Sequence, residues 1–99
     1  MASNFRIAMH HDGGTLHFRL LGDFDGISAC QLLENLKKSY SGINRVMVHA
    51  ESLKTIHPFG RDVLRGRFHE LNGHSTRIFC VGEKAKKIAP EKALHLQDP

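Results

Sequence analysis

Between Leu53 and Leu71 the apolar spacing changes its period, and that change limits the folds open to the chain. Leu53-Lys-Thr-Ile56 reads as the end of a buried strand, His57 opens a tight loop, and an amphipathic helix follows. Pro58 suits a helical first turn, because its fixed φ is already helical and its missing N–H would have been unpaired there anyway. On a wheel of 100° per residue Gly60, Val63, Leu64, Phe68 and Leu71 gather on one side. Arg67 falls among them, with its stem packed and its charged head carried to water. Phe59, Asp62, Gly66 and Glu70 fall opposite, with Arg61, Arg65 and His69 between.

The segments before this element alternate in the same way. Phe5, Ile7 and Met9 interleave with Arg6, Ala8 and His10, the pattern of a half-buried strand, and Asp12-Gly13-Gly14 supplies a hairpin turn. Leu16, Phe18 and Leu20 then share one face of a second strand, with His17, Arg19 and Leu21 on the other, until Gly22-Asp-Phe-Asp25-Gly26 ends it. Residues 27–40 form the clearest helix, with a stripe of Ala29, Leu32, Leu33, Leu36 and Tyr40 and an i,i+4 pair of Glu34 and Lys38; Ser41-Gly42 stops it. Arg45–Ala50 is a central strand with Val46, Val48 and Ala50 on one face and Met47 and His49 on the other.

After the 53–71 element, Asn72-Gly73 marks a turn and Thr76–Val81 a buried strand. Lys84–Ala89 reads as a basic helix interrupted by Pro90, with a further turn or two expected over Glu91–Leu96. The order is β-β-α-β-α-β-α. It predicts an α/β fold: a mixed sheet of about four strands with alternating helices, in one domain over residues 1–99.

The 53–71 segment, taken with Gly22-Asp-Phe-Asp25, resembles the STAS domain, the fold of bacterial anti-sigma factor antagonists and of sulphate-transporter cytoplasmic tails. In the antagonists the loop reads Asp-Ser-Ser-Gly-Leu-Gly and a kinase phosphorylates the first serine. Here the matching positions are His57, Pro58, Phe59, Gly60, Arg61 and Asp62, so only the glycine is kept, and proline stands where the serine would be. Gly66-Arg67-Phe68 is similar to the Gly-Arg-Tyr found one turn later, and Gly22-Asp-Phe-Asp25 to the Gly-Glu-Leu-Asp that closes the second strand. The resemblance implies that Asp23 and Asp25 line the loop.

What the resemblance implies for function is a non-enzymatic protein–protein interaction domain of bacterial signalling and transcription regulation. Its partner would be an anti-sigma factor that is also an ATP-binding kinase, met without the phosphorylation switch that proline removes. Two alternatives follow from other relatives: an accessory subunit on a transporter ATPase, and a sensor that binds nucleotides or other small molecules. The partner-binding residues would be His57, Pro58, Phe59, Gly60, Arg61, Asp62, Arg65 and Gly66. Phe59 lies on the outer side of its helix, and Gly66 leaves a gap on the same stripe. The flanking Arg61 and Arg65 would steer an acidic partner.

Composition bounds the other classes. The 99 residues, 40% hydrophobic and 24% charged, suit one small globular domain, cytoplasmic and monomeric or weakly dimeric. No stretch approaches the roughly 20 apolar residues of a membrane span, and Met1-Ala-Ser-Asn-Phe-Arg6 lacks the apolar core of a signal peptide. Cys30 and Cys80 have no metal-type spacing and read as buried free thiols. The net charge of +4 comes from scattered basic residues without interleaved aromatics, which disfavours nucleic acid.

The eight histidines invite a metal reading. His10 and His11 point to opposite faces of a strand, however, and His49 and His57 could approach one another beside Asp23 or Asp25 without any recognised ligand spacing. No metal, cofactor or catalytic residue is assigned.

Overall fold

The computed structural model describes residues 4–38, 43–71 and 78–90. Two strands, β1 (Arg6–Asp12) and β2 (Thr15–Phe24), form an antiparallel hairpin in which Asp12 faces Thr15 across Gly13-Gly14. Gly13 takes φ +63°, the left-handed region that two-residue hairpin loops need and glycine reaches without strain. Helix α1 (Gly26–Lys38) leads to β3 (Arg45–His49), and a turn closed by Leu53 N–H donating to the Ala50 carbonyl leads to β4 (Leu53–Ile56). Helix α2 (Pro58–Arg67) tightens into a 3₁₀ turn over Phe68–Leu71; β5 (Ile78–Val81) and a 3₁₀ helix at Glu83–Lys87 follow.

The sheet runs β1-β2-β3-β5, with β4 pairing with the far end of β2. Among the described strands β1–β2 pair antiparallel, and β2–β3, β2–β4 and β3–β5 pair parallel. The expected strand count of about four becomes five, because the apolar segment from Arg45 to Ile56 breaks at Glu51-Ser52 into two strands with different positions along β2. Gly22, at φ +90°, sits where the β2 register shifts between its pairing with β3 and with β4. A bulge of this kind lets one long strand serve two short ones.

Both helices cover one face of the sheet. Leu16, Phe18 and Leu20 of β2, Val46 and Val48 of β3, and Ile78 and Cys80 of β5 bury against Ala29, Leu32, Leu33 and Leu36 of α1 and Leu64 of α2, with Phe68 and Leu71 closing the end. Complete burial of each large side chain contributes about 1.5–3 kcal/mol. The other face carries His17, Arg19, Met47 and His49, and among the described residues no helix lies on it.

Three expectations need correction. The edge strand β1 is less buried than its alternation implied: Phe5 and Ile7 pack against the core, but Met9 is 57% exposed, because α1 flanks the edge strand without covering it. The final basic helix is a 3₁₀ helix, held by Lys84 Nζ donating to the Leu53 carbonyl. Cys30 is half-buried, while Cys80 is buried and its thiol is pushed up to about 12 by loss of water. Glu70 is exposed, as expected, and accepts both Arg67 Nε (2.8 Å) and Nη2 (2.9 Å) and meets Lys37 Nζ of α1 at 2.5 Å. These two cations hold the Glu70 carboxyl down at about 2. Tyr40, Ser41-Gly42, Asn72-Gly73, Thr76 and the turns expected over 91–96 lie outside the described residues.

Candidate functional site

The two helices begin side by side, and the site is built around their first turns. Asp25 caps α1: its carboxylate accepts the Ser28 backbone N–H at 2.9 Å and the Ser28 hydroxyl at 3.0 Å. These bonds, the backbone one foremost, hold its carboxyl below the usual carboxylate range. Ser28, itself buried, shares its single hydroxyl proton between Asp25 and the Asp23 carbonyl, 3.0 Å from each, while its N–H is held by Asp25, so hydroxyl and backbone both tie the corner between β2 and α1. Asp25 thus reaches the neighbouring loop with its backbone, and its carboxylate is committed to the cap. Asp23 pairs with Thr55 in the β2–β4 ladder, and its N–H donates to Asn4.

The α2 start is different. His57 occupies the N-cap in an extended conformation (φ −87°, ψ 136°) and makes no side-chain cap bond, with Pro58 at the first helical position. Its N–H donates to the Phe24 carbonyl and its own carbonyl accepts from Gly60, each at 2.9 Å. Gly60 is buried against Asp25: a Cβ there would stand 2.8 Å from both the carbonyl carbon and the oxygen of Asp25. The glycine therefore has a steric reason that belongs to this fold, the approach of two backbones closer than any side chain allows.

Phe59 is 70% exposed, and its ring lies over Gly26, where a Cβ would come within 2.7 Å of two ring carbons. With Asp25, Ile27, Cys30, Val63 and Arg67 it lines a groove of about 590 Å³ between the helix starts. A second groove, about 480 Å³, continues between α1 and the edge strand and shares Ile27 and Cys30 with the first. Met9 and the 54%-exposed Ile27 line it, so the large exposed apolar side chains among the described residues, Met9, Ile27 and Phe59, follow one continuous surface.

The basic residues need reassignment. Arg65 donates to the Ala89 and Lys86 carbonyls, both at 3.2 Å, which ties α2 to the segment after β5. Arg61 pairs with its neighbour Asp62 at 3.2 Å, a surface contact of small energy. Lys86 and Lys87, from the basic segment 84–89 and not among the expected partner-binding residues, join Arg61, Arg65, Ile56 and Pro58 around a cleft of about 320 Å³. Arg67 sends its remaining Nη1 to Cys30 Sγ at 3.3 Å. Gly66 is exposed with open space around it. His49 does not approach His57: its ring bonds to His17 on the uncovered face of the sheet.

No family model matches the sequence, and no curated protein matches it. Solved structures do. The anti-sigma factor antagonist SpoIIAA in its unphosphorylated form superposes with a TM-score of 0.57 and 18% identity, over 85% of this chain and 79% of that one. The chain has the STAS fold. Mglu contains a similar unit: TM-score 0.62 and 21% identity over 88% of this chain, which spans only 20% of the Mglu chain. In the STAS fold of this chain, the groove between the two helix starts is where the quoted loop motif and the exposed apolar residues come together.

Proposed function

We propose that this chain is a non-enzymatic protein–protein interaction domain, similar to an anti-sigma factor antagonist that has lost its phosphorylatable serine. The observation that carries the reading is the continuous strip of Phe59, Ile27 and Met9, apolar side chains left in water along two adjoining grooves. An exposed aromatic set on a glycine, beside an aliphatic residue, is what a partner's side chain fills. The cleft of Arg61, Arg65, Lys86 and Lys87 lies on the other side of α2 from the strip, and its charge favours a partner whose acidic residues reach round the helix. Positions 57–62 carry no hydroxyl, so a partner docked here is not released by serine phosphorylation at the loop.

A second reading, binding of an anionic small molecule such as a nucleotide, draws on the basic cleft alone, where Arg61, Arg65, Lys86 and Lys87 converge. Among the described residues no helix is long and apolar enough to cross a membrane.

The test is a crosslinking pull-down from the native cell with the wild type and an Ile27→Asp, Phe59→Asp double variant whose folding is confirmed by circular dichroism. Loss of specific proteins with the variant is the expected result, and their identity separates a sigma-factor regulator from a transporter ATPase. Recovery of the same proteins in the same yield places the docking surface elsewhere. A nucleotide that raises the melting temperature of the wild type, and not of a Lys86→Ala, Lys87→Ala variant, favours the second reading.

A further inference from the structure

The sheet face turned away from the helices carries a row of histidines that the docking strip does not use. His10 stands directly opposite His17 in the β1–β2 ladder, and His49 stands opposite Arg19 in the β2–β3 ladder, two residues along from His17. Strand alternation puts all three on the uncovered face, because Leu16, Phe18, Val46 and Val48 take the core side. His17 Nδ1 lies 2.8 Å from His49 Nε2, with ring planes 24° apart, and the His10 and His17 ring centres are 6.0 Å apart. With Ala8, Met9 and Arg19 they line a depression of about 440 Å³.

Two imidazole nitrogens at this separation share one proton: one ring donates and the other accepts with its lone pair. The same two atoms are close to the spacing a metal ion imposes. Nitrogens bound at about 2.0–2.1 Å with a right angle to a tetrahedral angle between them lie about 2.9–3.4 Å apart. The pair thus has to open by only a few tenths of an ångström, each ring pivoting to aim at a common point over the depression. The sheet already fixes the two backbones, so little ordering is required.

We propose that His17 and His49 form a two-nitrogen clamp for a divalent transition ion, copper(II) or nickel(II) ahead of zinc(II). The ranking follows the general affinity order for nitrogen ligands. Among the described residues no three histidine, cysteine, aspartate or glutamate side chains stand grouped as a ready ligand set. Water therefore completes the coordination, and His10 is the residue able to join by a change of rotamer. Such an open, two-ligand site leaves its remaining positions to water and exchanges its ion readily.

The experiment is calorimetric titration of the full chain with each of the three ions at pH 7.5. It is paired with NMR spectra of the histidine rings, in which paramagnetic copper or nickel broadens nearby signals. One ion per chain at the clamp is expected, with the His17 and His49 ring signals lost first. His17→Gln and His49→Gln should each weaken binding about ten-fold or more, while His11→Gln, His57→Gln and His69→Gln leave it unchanged. Circular dichroism checks that the variants fold. Absence of binding to the wild type overturns the proposal, as does binding that survives in the His17→Gln, His49→Gln double variant. Because the clamp lies on the face away from the helices, Ile27→Asp, Phe59→Asp should still bind metal, so this test and that of the docking strip fail independently.

Discussion

The starts of α1 and α2 lie against one another, yet they are made on opposite plans. At α1 an aspartate accepts a backbone N–H and a buried serine hydroxyl, and the corner is closed by bonds. At α2 a histidine with no cap bond, a proline and an exposed phenylalanine face water. Asn, Asp or Ser at a helix start stabilises by about 1 kcal/mol relative to alanine. The α2 start forgoes most of that. If the docking proposal holds, the end that contributes little to stability is the one kept for a partner, beside one that contributes fully.

The most damaging way to test this comparison is to fill the space between the two starts. Gly60→Ala would set a Cβ 2.8 Å from the Asp25 backbone, and backbone cannot move aside as a side-chain tip can. A destabilisation of about 2–3 kcal/mol is expected in urea unfolding, with docking lost in parallel. A change below about 0.5 kcal/mol would mean that the helix starts are not pressed together as described.

Removing the cap is the next step down. Asp25→Ala should cost about 1 kcal/mol at neutral pH. The sign of its pH dependence follows from the carboxyl being held below its ordinary 3.8 in the folded state. The folded protein then favours the charged form, so the contribution is full above that ordinary value and is lost as pH falls through the lower, folded one. Wild type and Asp25→Ala should therefore converge in stability only under strongly acid conditions. Glu70, held at about 2 by Arg67 and Lys37, gives a difference of the same sign in the same acid range, so the comparison needs Asp25→Ala measured with Glu70 intact.

Gly66→Ala should act in the opposite direction. The position is exposed, its φ is not left-handed, and no atom lies within 4 Å of the added carbon. Alanine in a helix interior is better than glycine by about 0.8–1 kcal/mol. If partner binding falls while thermal stability rises, Gly66 is held for the interface. If binding is unchanged, the glycine has no role there.

How much of this was legible depends on the range of the interactions. The β2, α1, β3 and α2 elements follow from apolar periods that lie within a few residues, and each core face matches: Leu16-Phe18-Leu20, Ala29-Leu32-Leu33-Leu36, Val46-Val48 and Gly60-Leu64 are all buried. The split of 45–56 into two strands was not legible from periodicity, since it depends on where β2 offers hydrogen bonds; the polar pair Glu51-Ser52 was the available hint. Pro58 as the first residue of α2 could be read because proline acts locally. Asp25 as a cap had a local signal as well, an aspartate three residues before Ser28, but its place in the Gly-Asp-Phe-Asp motif drew attention to the loop instead. The convergence of Lys86 and Lys87 with Arg61 and Arg65 joins parts of the chain more than 20 residues apart, and no local pattern encodes it.

The smallest expected effect is also the one that separates stability from binding at the uncapped helix. His57 already has the extended backbone that capping residues adopt, so an aspartate there can accept from the first free N–H groups of α2 without moving the chain. His57→Asp should stabilise by about 0.5–1 kcal/mol, helped by the attraction of a negative charge to a helix N-terminus. His57→Ala, which supplies neither cap nor charge, should leave stability nearly unchanged. If the open start serves a partner with acidic residues, His57→Asp should bind it more weakly although the protein melts at a higher temperature, and added salt should narrow the gap by screening the new charge. A variant that gains stability and keeps full affinity would show that the missing cap is incidental, and the contrast between the two helix starts would then concern folding alone.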